Sequence, residues 1–333
     1  MADERSEAST QHLTALAAPD ALIDWRLALC YETAHTTGIL DALPGAPARV
    51  AEATGLDEQA VTDVLHVLAA WDHLSIDGTG TFTPGGAWPS GPERLALAGH
   101  GTWIRRWATT LPARIHDRTA TADGAGAPGG PDPATGLALL ESATRPYVAR
   151  VVEACLDRVP AEPGRPLRVL DLGGGHGAYA REFARRGCAT TLQDLPAVID
   201  ILAADGRTAA AGVELHGGDA FTDLAPGPYD LVLCGIFTNM FGLDRVRDLL
   251  ARVTGILVPG GRIAIATWMR DLGPVGAAFG IQMLVATTEG DAHPSGAYRR
   301  LLAETGYAGI GVAEVADPPL AVMTAENGAW DAA

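Results

Sequence analysis

The chain contains no lysine, so its 24 basic residues are all arginine. That absence excludes a Walker-type phosphate loop, which needs a lysine on the terminal phosphates, and any lysine Schiff-base mechanism. Cysteine is scarce: Cys30, Cys155, Cys188 and Cys234 are scattered, with no CxxC pair. Such spacing offers no disulfide framework and no zinc site, so reduced thiols in a cytoplasmic protein are expected. No apolar run reaches the roughly eighteen residues that a membrane-spanning helix needs. The opening MADERSEASTQHL is polar and lacks the apolar core of a signal peptide. Positive charge is in deficit too. A net charge of −16 repels nucleic acid and anionic membranes.

What is present is a chain of 333 residues, 47% hydrophobic and 19% charged, long enough for two domains. After a polar leader over residues 1–20, the pattern from Ala21 to Leu43 is helical and stops at Pro44 and Gly45. A short helix over Ala48–Thr54 stops at Gly55. Asp57 then caps a helix whose Val61, Val64, Leu65, Leu68, Trp71 and Leu74 share one face. LSIDGTGTFTP reads as a hairpin. Two helices and a hairpin outline a winged helix. DNA binding would need clustered cations. Between Leu40 and Ser90, however, Arg49 faces Asp41, Glu52, Asp57, Glu58, Asp63, Asp72 and Asp77. Packing or dimerisation is therefore the expected use. Helices are expected over 95–120 and 137–158, with a mobile Gly- and Pro-rich loop over 121–135.

From Leu167 the rhythm changes. Strand-length apolar runs over Leu167–Leu172, Ala189–Asp194, Val213–His216, Tyr229–Gly235 and Arg262–Trp268 alternate with helical stretches such as Ala178–Arg186 and Asp244–Leu257. The expected fold is α/β, a Rossmann-like doubly wound parallel sheet, with ligands beyond the C-terminal strand ends. GGGHGA places Gly173, Gly175 and Ala178 in the G-x-G-x-x-G/A pattern, which alone is weak. Acids strengthen it. Asp171 precedes the glycines, Asp194 ends the next run 23 residues later, and Asp219 follows the third. A carboxylate at Asp171 would repel a pyrophosphate and suits an ammonium group or bridging waters. Asp194 suits ribose hydroxyls. Asp219, beside the apolar Ala220 and Phe221, suits an adenine. Three acids at successive strand ends favour a cationic nucleoside without phosphate. S-adenosyl-L-methionine fits better than NAD. His176 is expected to be a loop residue without a chemical role.

VLDLGGGHGAYA, LQDLPAVI, HGGDAF, YDLVLCGIFTNMFG and ILVPGGRIAIATW, in this order, resemble class I S-adenosylmethionine-dependent methyltransferases. Within that class they are similar to the caffeate and hydroxyindole O-methyltransferase type, including its bacterial natural-product branch. The resemblance implies three parts: residues 1–95 as a winged-helix dimerisation domain, 96–160 as a helical linker and pocket roof, and 161–333 as the Rossmann-like cofactor domain. It implies a homodimer and a small-molecule substrate. By position, Gly173 and Gly175 would face the methionyl part of the cofactor, with Cys234 or Gly235 lining that side. Asp194 with Leu195 would take the ribose, and Asp219, Ala220 and Phe221 the adenine end. Asp171 would act from behind the ligand.

One position departs from this pattern. Where O-methylating relatives carry a histidine base, this chain has Asn239, preceded by Thr238. An amide cannot accept a proton near neutral pH. Three readings compete: an acceptor acidic enough to need no base, at carbon, nitrogen or an acidic oxygen; another base, His293 being the candidate, with Glu289 and Asp291 nearby; or no methyl transfer, the cofactor being kept as an electrostatic element in a cyclase, decarboxylase or hydroxylase. A cofactor-sensing DNA regulator is the non-enzymatic rival, opposed by the acidic N-terminal region. No metal site is expected, since no second histidine stands at ligand spacing from His293. Trp103, Trp107, Thr238, Phe279 and Met283 are candidates to meet substrate.

Overall fold

The computed structural model describes residues 25–89, 91–119, 133–157, 159, 164–315 and 320–328. The leader over 1–20 and most of the expected 121–135 loop lie outside them. That loop is shorter than expected at its far end, because helix already begins at Pro133.

In the N-terminal region, helices α1 (Trp25–Thr36), α2 (Pro47–Thr54) and α3 (Glu58–Ala70) are followed by a hairpin of β1 (Leu74–Ile76) and β2 (Phe82–Pro84). The capping signals act as read. Asp57 accepts the Ala60 N–H at 2.9 Å, and Gly55 ends α2 in the left-handed conformation that glycine adopts freely. In the hairpin turn, Asp77 Oδ1 accepts the Thr79 and Thr81 N–H groups. Leu27, Tyr31, Val50, Val61, Leu65, Leu68, Leu74 and Phe82 bury a core of their own.

Two long helices follow, α4 (Gly91–His116) and α5 (Pro133–Leu156). A bidentate Arg105–Glu32 pair ties α4 to α1.

The remainder comprises β3 (Arg168–Leu172), α6 (Ala178–Arg185), β4 (Ala189–Asp194), α7 (Pro196–Asp205), α8 (Arg207–Ala210), β5 (Glu214–Gly217), β6 (Tyr229–Gly235), α9 (Leu243–Thr254), β7 (Leu257–Thr267), α10 (Gly273–Ala286), α11 (Ser295–Glu304), β8 (Tyr307–Glu314) and β9 (Ala321–Asn327). The sheet order is β5-β4-β3-β6-β7-β9-β8. The first five strands are parallel, but β9 runs antiparallel to β7 and β8 antiparallel to β9. The purely parallel expectation is thus corrected to a mixed sheet. Alternation along β6 and β7 sends Val232, Cys234, Ile263 and Ile265 to the face covered by α9 and α11. Leu231, Leu233, Ala264 and Ala266 go to the face shared with Tyr147 of α5, Tyr179 of α6 and Phe279 of α10. Burial on both faces is why these strands read as near-continuous apolar runs. At the N-terminal edge, Asp230 takes both Arg165 guanidinium nitrogens, at 2.6 and 2.9 Å, and the Arg168 N–H at 2.7 Å.

Candidate functional site

The parallel register brings the C-terminal ends of β5, β4, β3 and β6 side by side, with Asp194 opposite Gly217 and Asp171 opposite Leu233. The glycine loop leaves β3 at this rim. Gly173, Gly175 and Gly177 all adopt positive φ, at 70°, 49° and 74°. At Gly173 a Cβ would run into the Phe237 ring, so conformation and space both require glycine there. The loop is pinned to β4 because the Gly173 and Gly174 N–H groups both donate to the Gln193 carbonyl.

The three acids occupy different environments. Asp171 is fully buried; its Oδ2 accepts the Ala180 N–H at 3.1 Å, and its Oδ1 has no partner among the described residues. Burial pushes its carboxyl up to about 7, opposed by the Ala180 N–H. Asp194 is partly buried. It accepts the Gly175 N–H at 2.8 Å and the Leu195 N–H at 2.7 Å, and burial again raises its pKa. Leu195 is exposed. Asp219 is exposed and accepts the Phe221 N–H at 2.8 Å, which is the geometry of a turn cap. Ala220 is buried. The Phe221 ring meets Phe241 edge-on at 4.9 Å, and the Arg245 guanidinium lies over both rings. No described arginine pairs with Asp171, Asp194 or Asp219. Cys234 is buried at the end of β6, and at Gly235 an added Cβ would press on the Tyr179 ring at 2.9 Å.

Beyond Gly235 the chain turns sharply. Ile236 is held at φ 51°, a strained conformation for a β-branched residue, and its N–H donates to the Ala266 carbonyl at 2.7 Å. The 3-10 turn Thr238–Met240 then buries the two residues flagged in the sequence. Thr238 Oγ1 lies 2.8 Å from Tyr298 Oη. The Asn239 Nδ2 donates to Met283 Sδ at 3.0 Å, Thr267 Oγ1 lies 3.4 Å from Asn239 Oδ1, and its carbonyl accepts the Asp291 N–H. His293 Nε2 is 2.8 Å from the Phe241 carbonyl, which can only accept, so that nitrogen carries the proton. Its Nδ1 faces Asp291 at 4.0 Å, and Asp291 is bonded to Arg270. The ring is buried against Tyr298, 5.6 Å away. His293 therefore fastens the 290–293 segment to the turn holding Asn239.

Helix α4 packs against α10. Trp103 lies under the Arg106 guanidinium, and Trp107 Nε1 donates to Gln282 Oε1 at 2.6 Å. Arg106 donates to the carbonyls of Val285 and Ala286, and Arg114 to that of Thr287. These arginines satisfy carbonyls that the end of α10 leaves free. Phe279 and Met283 are buried on α10, and Phe279 packs against Trp268 at 4.9 Å.

Three contributors escaped the sequence reading. Gln193 is buried and stitches down the chain after β5, bonding the carbonyls of Gly218 and Asp223 and the Ala225 N–H. His176 is buried rather than a bystander. Its Nδ1 accepts the Ala178 N–H and its Nε2 lies 3.0 Å from Thr144 Oγ1 on α5, while burial holds its pKa down to about 4. Glu141 of α5 joins this latch by pairing with Arg181 and Arg207. Polar residues at buried positions were the available signal, but nothing local named their partners.

A mixed sheet in this order, with a left-handed glycine turn at the end of its third strand, is a Rossmann-like α/β arrangement. Within the chain, residues 163–308 match the O-methyltransferase domain family. Acetylserotonin O-methyltransferase of Gallus gallus is 32% identical over 149 residues, 42% of each chain. The tetracenomycin polyketide synthesis 8-O-methyl transferase TcmO of Streptomyces glaucescens is 28% identical over 157 residues, 45% of this chain and 46% of that one. The chain spans less than half the length of these curated relatives. The fold is shared more widely. Human N-acetylserotonin methyltransferase, solved in complex with SAM, superposes with a TM-score of 0.76 at 20% identity, over 91% of this chain and 94% of that one. The mitomycin 7-O-methyltransferase MmcR superposes at 0.71 and 19% identity, over 90% and 94%.

Proposed function

We propose that the protein is an S-adenosyl-L-methionine-dependent methyltransferase acting on a small molecule, at carbon, nitrogen or an acidic oxygen. The observation that carries this reading is the rim itself: three carboxylates, none paired with a described arginine, beside a left-handed glycine turn. The residues fit the cofactor. Asp194 has acceptor capacity left for ribose hydroxyls, Asp219 to Phe221 offer a carboxylate and a ring for the adenine end, and the unpartnered Asp171 Oδ1 favours a nearby cation. When bound, the cofactor supplies an electrophilic methyl group on a sulfonium. The chain's own residues orient the acceptor and exclude water. Asn239 spends its polar atoms on neighbouring residues, and His293 commits its Nε2 to the Phe241 carbonyl, which leaves only its Nδ1 as a basic nitrogen. In this reading the acceptor arrives as a nucleophile, and the rate comes from alignment.

The same observation favours a second reading, in which the cofactor is retained without losing its methyl and steadies negative charge during a rearrangement. The homodimer is part of the proposal, supported by Trp25, Trp71 and Ile76 exposed on the N-terminal region. Cytoplasmic location is proposed too; among the described residues no helix is long and apolar enough to cross a membrane. Calorimetry with S-adenosylhomocysteine tests the site, and a cofactor carrying an isotopically labelled methyl tests the chemistry. Label appearing in the product supports transfer. Conversion with the cofactor intact supports the second reading, and tight binding of a pyridine dinucleotide instead refutes both.

A further inference from the structure

Both nitrogens of the His176 ring are committed, and the groups around them allow one arrangement of protons. Thr144 Oγ1 lies 2.8 Å from the Leu140 carbonyl and 3.3 Å from that of Glu141. A carbonyl can only accept, so the hydroxyl proton points there. The hydroxyl then accepts from His176, which puts a proton on Nε2, 3.0 Å away. The Nδ1 atom accepts the Ala178 N–H at 3.2 Å and is bare. The ring is thus neutral. Burial favours that form, Glu141 opposes it, and Arg181 and Arg207 support it. An imidazole spent in this way acts on a ligand only through the backbone it holds. It ties the end of the glycine turn to a helix 32 residues earlier in the chain.

Helix α5 meets the turn at two further points, all from one face. Leu137, Glu141 and Thr144 stand at the spacing that aligns side chains along a helix. Leu137 is the nearest side chain to the space that a Cβ on Gly175 would take, at 3.8 Å. Glu141 pairs with Arg181, and Arg181 donates to the His176 carbonyl at 3.0 Å. Gly175, just before His176, gives its N–H to Asp194. The helix therefore grips the same residues that bond the carboxylate assigned to the ribose.

We propose that His176 and Thr144 are positioning residues whose hydrogen bond holds the glycine turn in its binding shape, so that affinity for the cofactor is set partly from α5. The inference rests on the cofactor reading and deepens it by naming what keeps that site in shape. A turn released from α5 samples other conformations, and the apparent affinity falls with the fraction that stays competent. Linkage works in both directions, so a ligand that fixes the turn also steadies α5.

The test compares the full-length wild type with two variants of the buried Thr144. Thr144→Val keeps the shape and deletes the hydroxyl; Thr144→Ser keeps the hydroxyl. The probe is S-adenosylhomocysteine, titrated by calorimetry, with amide exchange over residues 137–144 followed in its presence and absence. Thr144→Val is expected to weaken binding about five- to tenfold, because the Nε2–H loses a buried acceptor. Thr144→Ser is expected to bind as wild type does. The ligand should slow exchange over 137–144 in wild type and Thr144→Ser, but not in Thr144→Val. A merely structural hydroxyl would lower the melting temperature of Thr144→Val and leave its affinity unchanged, and that result overturns the proposal. Equal losses of affinity in both variants overturn it too, as does wild-type exchange over 137–144 that the ligand leaves unaltered. The wild-type exchange decides even if Thr144→Val folds poorly. Failure of S-adenosylhomocysteine to bind wild type refutes the cofactor reading and this inference together. Its binding alongside any overturning result removes the inference alone.

Discussion

Asp171→Asn should make the protein more stable at pH 8, by a margin that shrinks as pH falls and vanishes near pH 4. Asp171 is sealed under the glycine loop with one oxygen unbonded, and its carboxyl is pushed up to about 7 from the ordinary 3.8, chiefly by burial. Between those values the native state keeps a proton that the unfolded chain has lost. The contribution of this group is therefore full below about pH 4 and is lost as pH rises through about 7. A shift of about three units corresponds to about 4 kcal/mol, and relaxation of the surroundings brings the expected effect to about 2–4 kcal/mol. Asparagine keeps an acceptor for the Ala180 N–H and has no proton to lose. Urea midpoints of both proteins at pH 5, 6, 7 and 8 measure the effect, and groups common to both, such as His176, largely cancel in the difference. A variant-minus-wild-type difference that stays flat across this range would refute the argument. Affinity for the cationic cofactor should move the other way: the variant binds it several-fold more weakly at pH 8, where wild-type Asp171 is charged, and about equally at pH 5.

Gly173→Ala combines a left-handed backbone, about 1–2 kcal/mol, with displacement of the Phe237 ring, about 1–3 kcal/mol; a lowered melting temperature together with lost S-adenosylhomocysteine binding is expected. Asp230→Asn should cost about 1–3 kcal/mol at pH 7 by depriving Arg165 and the Arg168 N–H of a charged acceptor. Burial raises the Asp230 pKa, but those bonds outweigh it and hold it below 3.8, so wild type loses this advantage as pH falls through the depressed value; chemical denaturation at pH 7 and pH 3 measures it. Arg106→Ala should cost about 1–2 kcal/mol by leaving the Val285 and Ala286 carbonyls short of a donor; faster amide exchange at the end of α10 is the readout.

The strand, glycine turn and acids of the proposed cofactor site were legible because these parts are local. A strand, a glycine turn and a terminal acid lie within a few residues of one another, and the turn demands glycine by its φ values. The same holds for the Asp57 cap and the hairpin around Asp77. The partners around Asn239 were not legible in this way. His293 is a candidate base by residue type, and sequence gives no sign that its Nε2 meets a carbonyl 52 residues away in the chain. His176 was set aside as a loop residue, yet it bridges to α5 across 32 residues. The antiparallel pair β8 and β9 was missed, because β9 gains its place by pairing with β7, distant in the chain, and the largely exposed edge strand β8 by pairing with β9.

Periodicity, glycine placement and the order of acids were enough by themselves to determine an α/β sheet, its helices and a rim that carries a glycine turn and acids, since these follow from short-range sterics and burial. Which polar side chains find partners was decided only by the tertiary structure. Asn239 meets Met283 and Thr267, and Trp268 meets rings but no acceptor, because folding brings together three segments distant in the chain. A hydrogen bond depends on ångström-scale distance and direction, and sequence spacing carries neither across such separations.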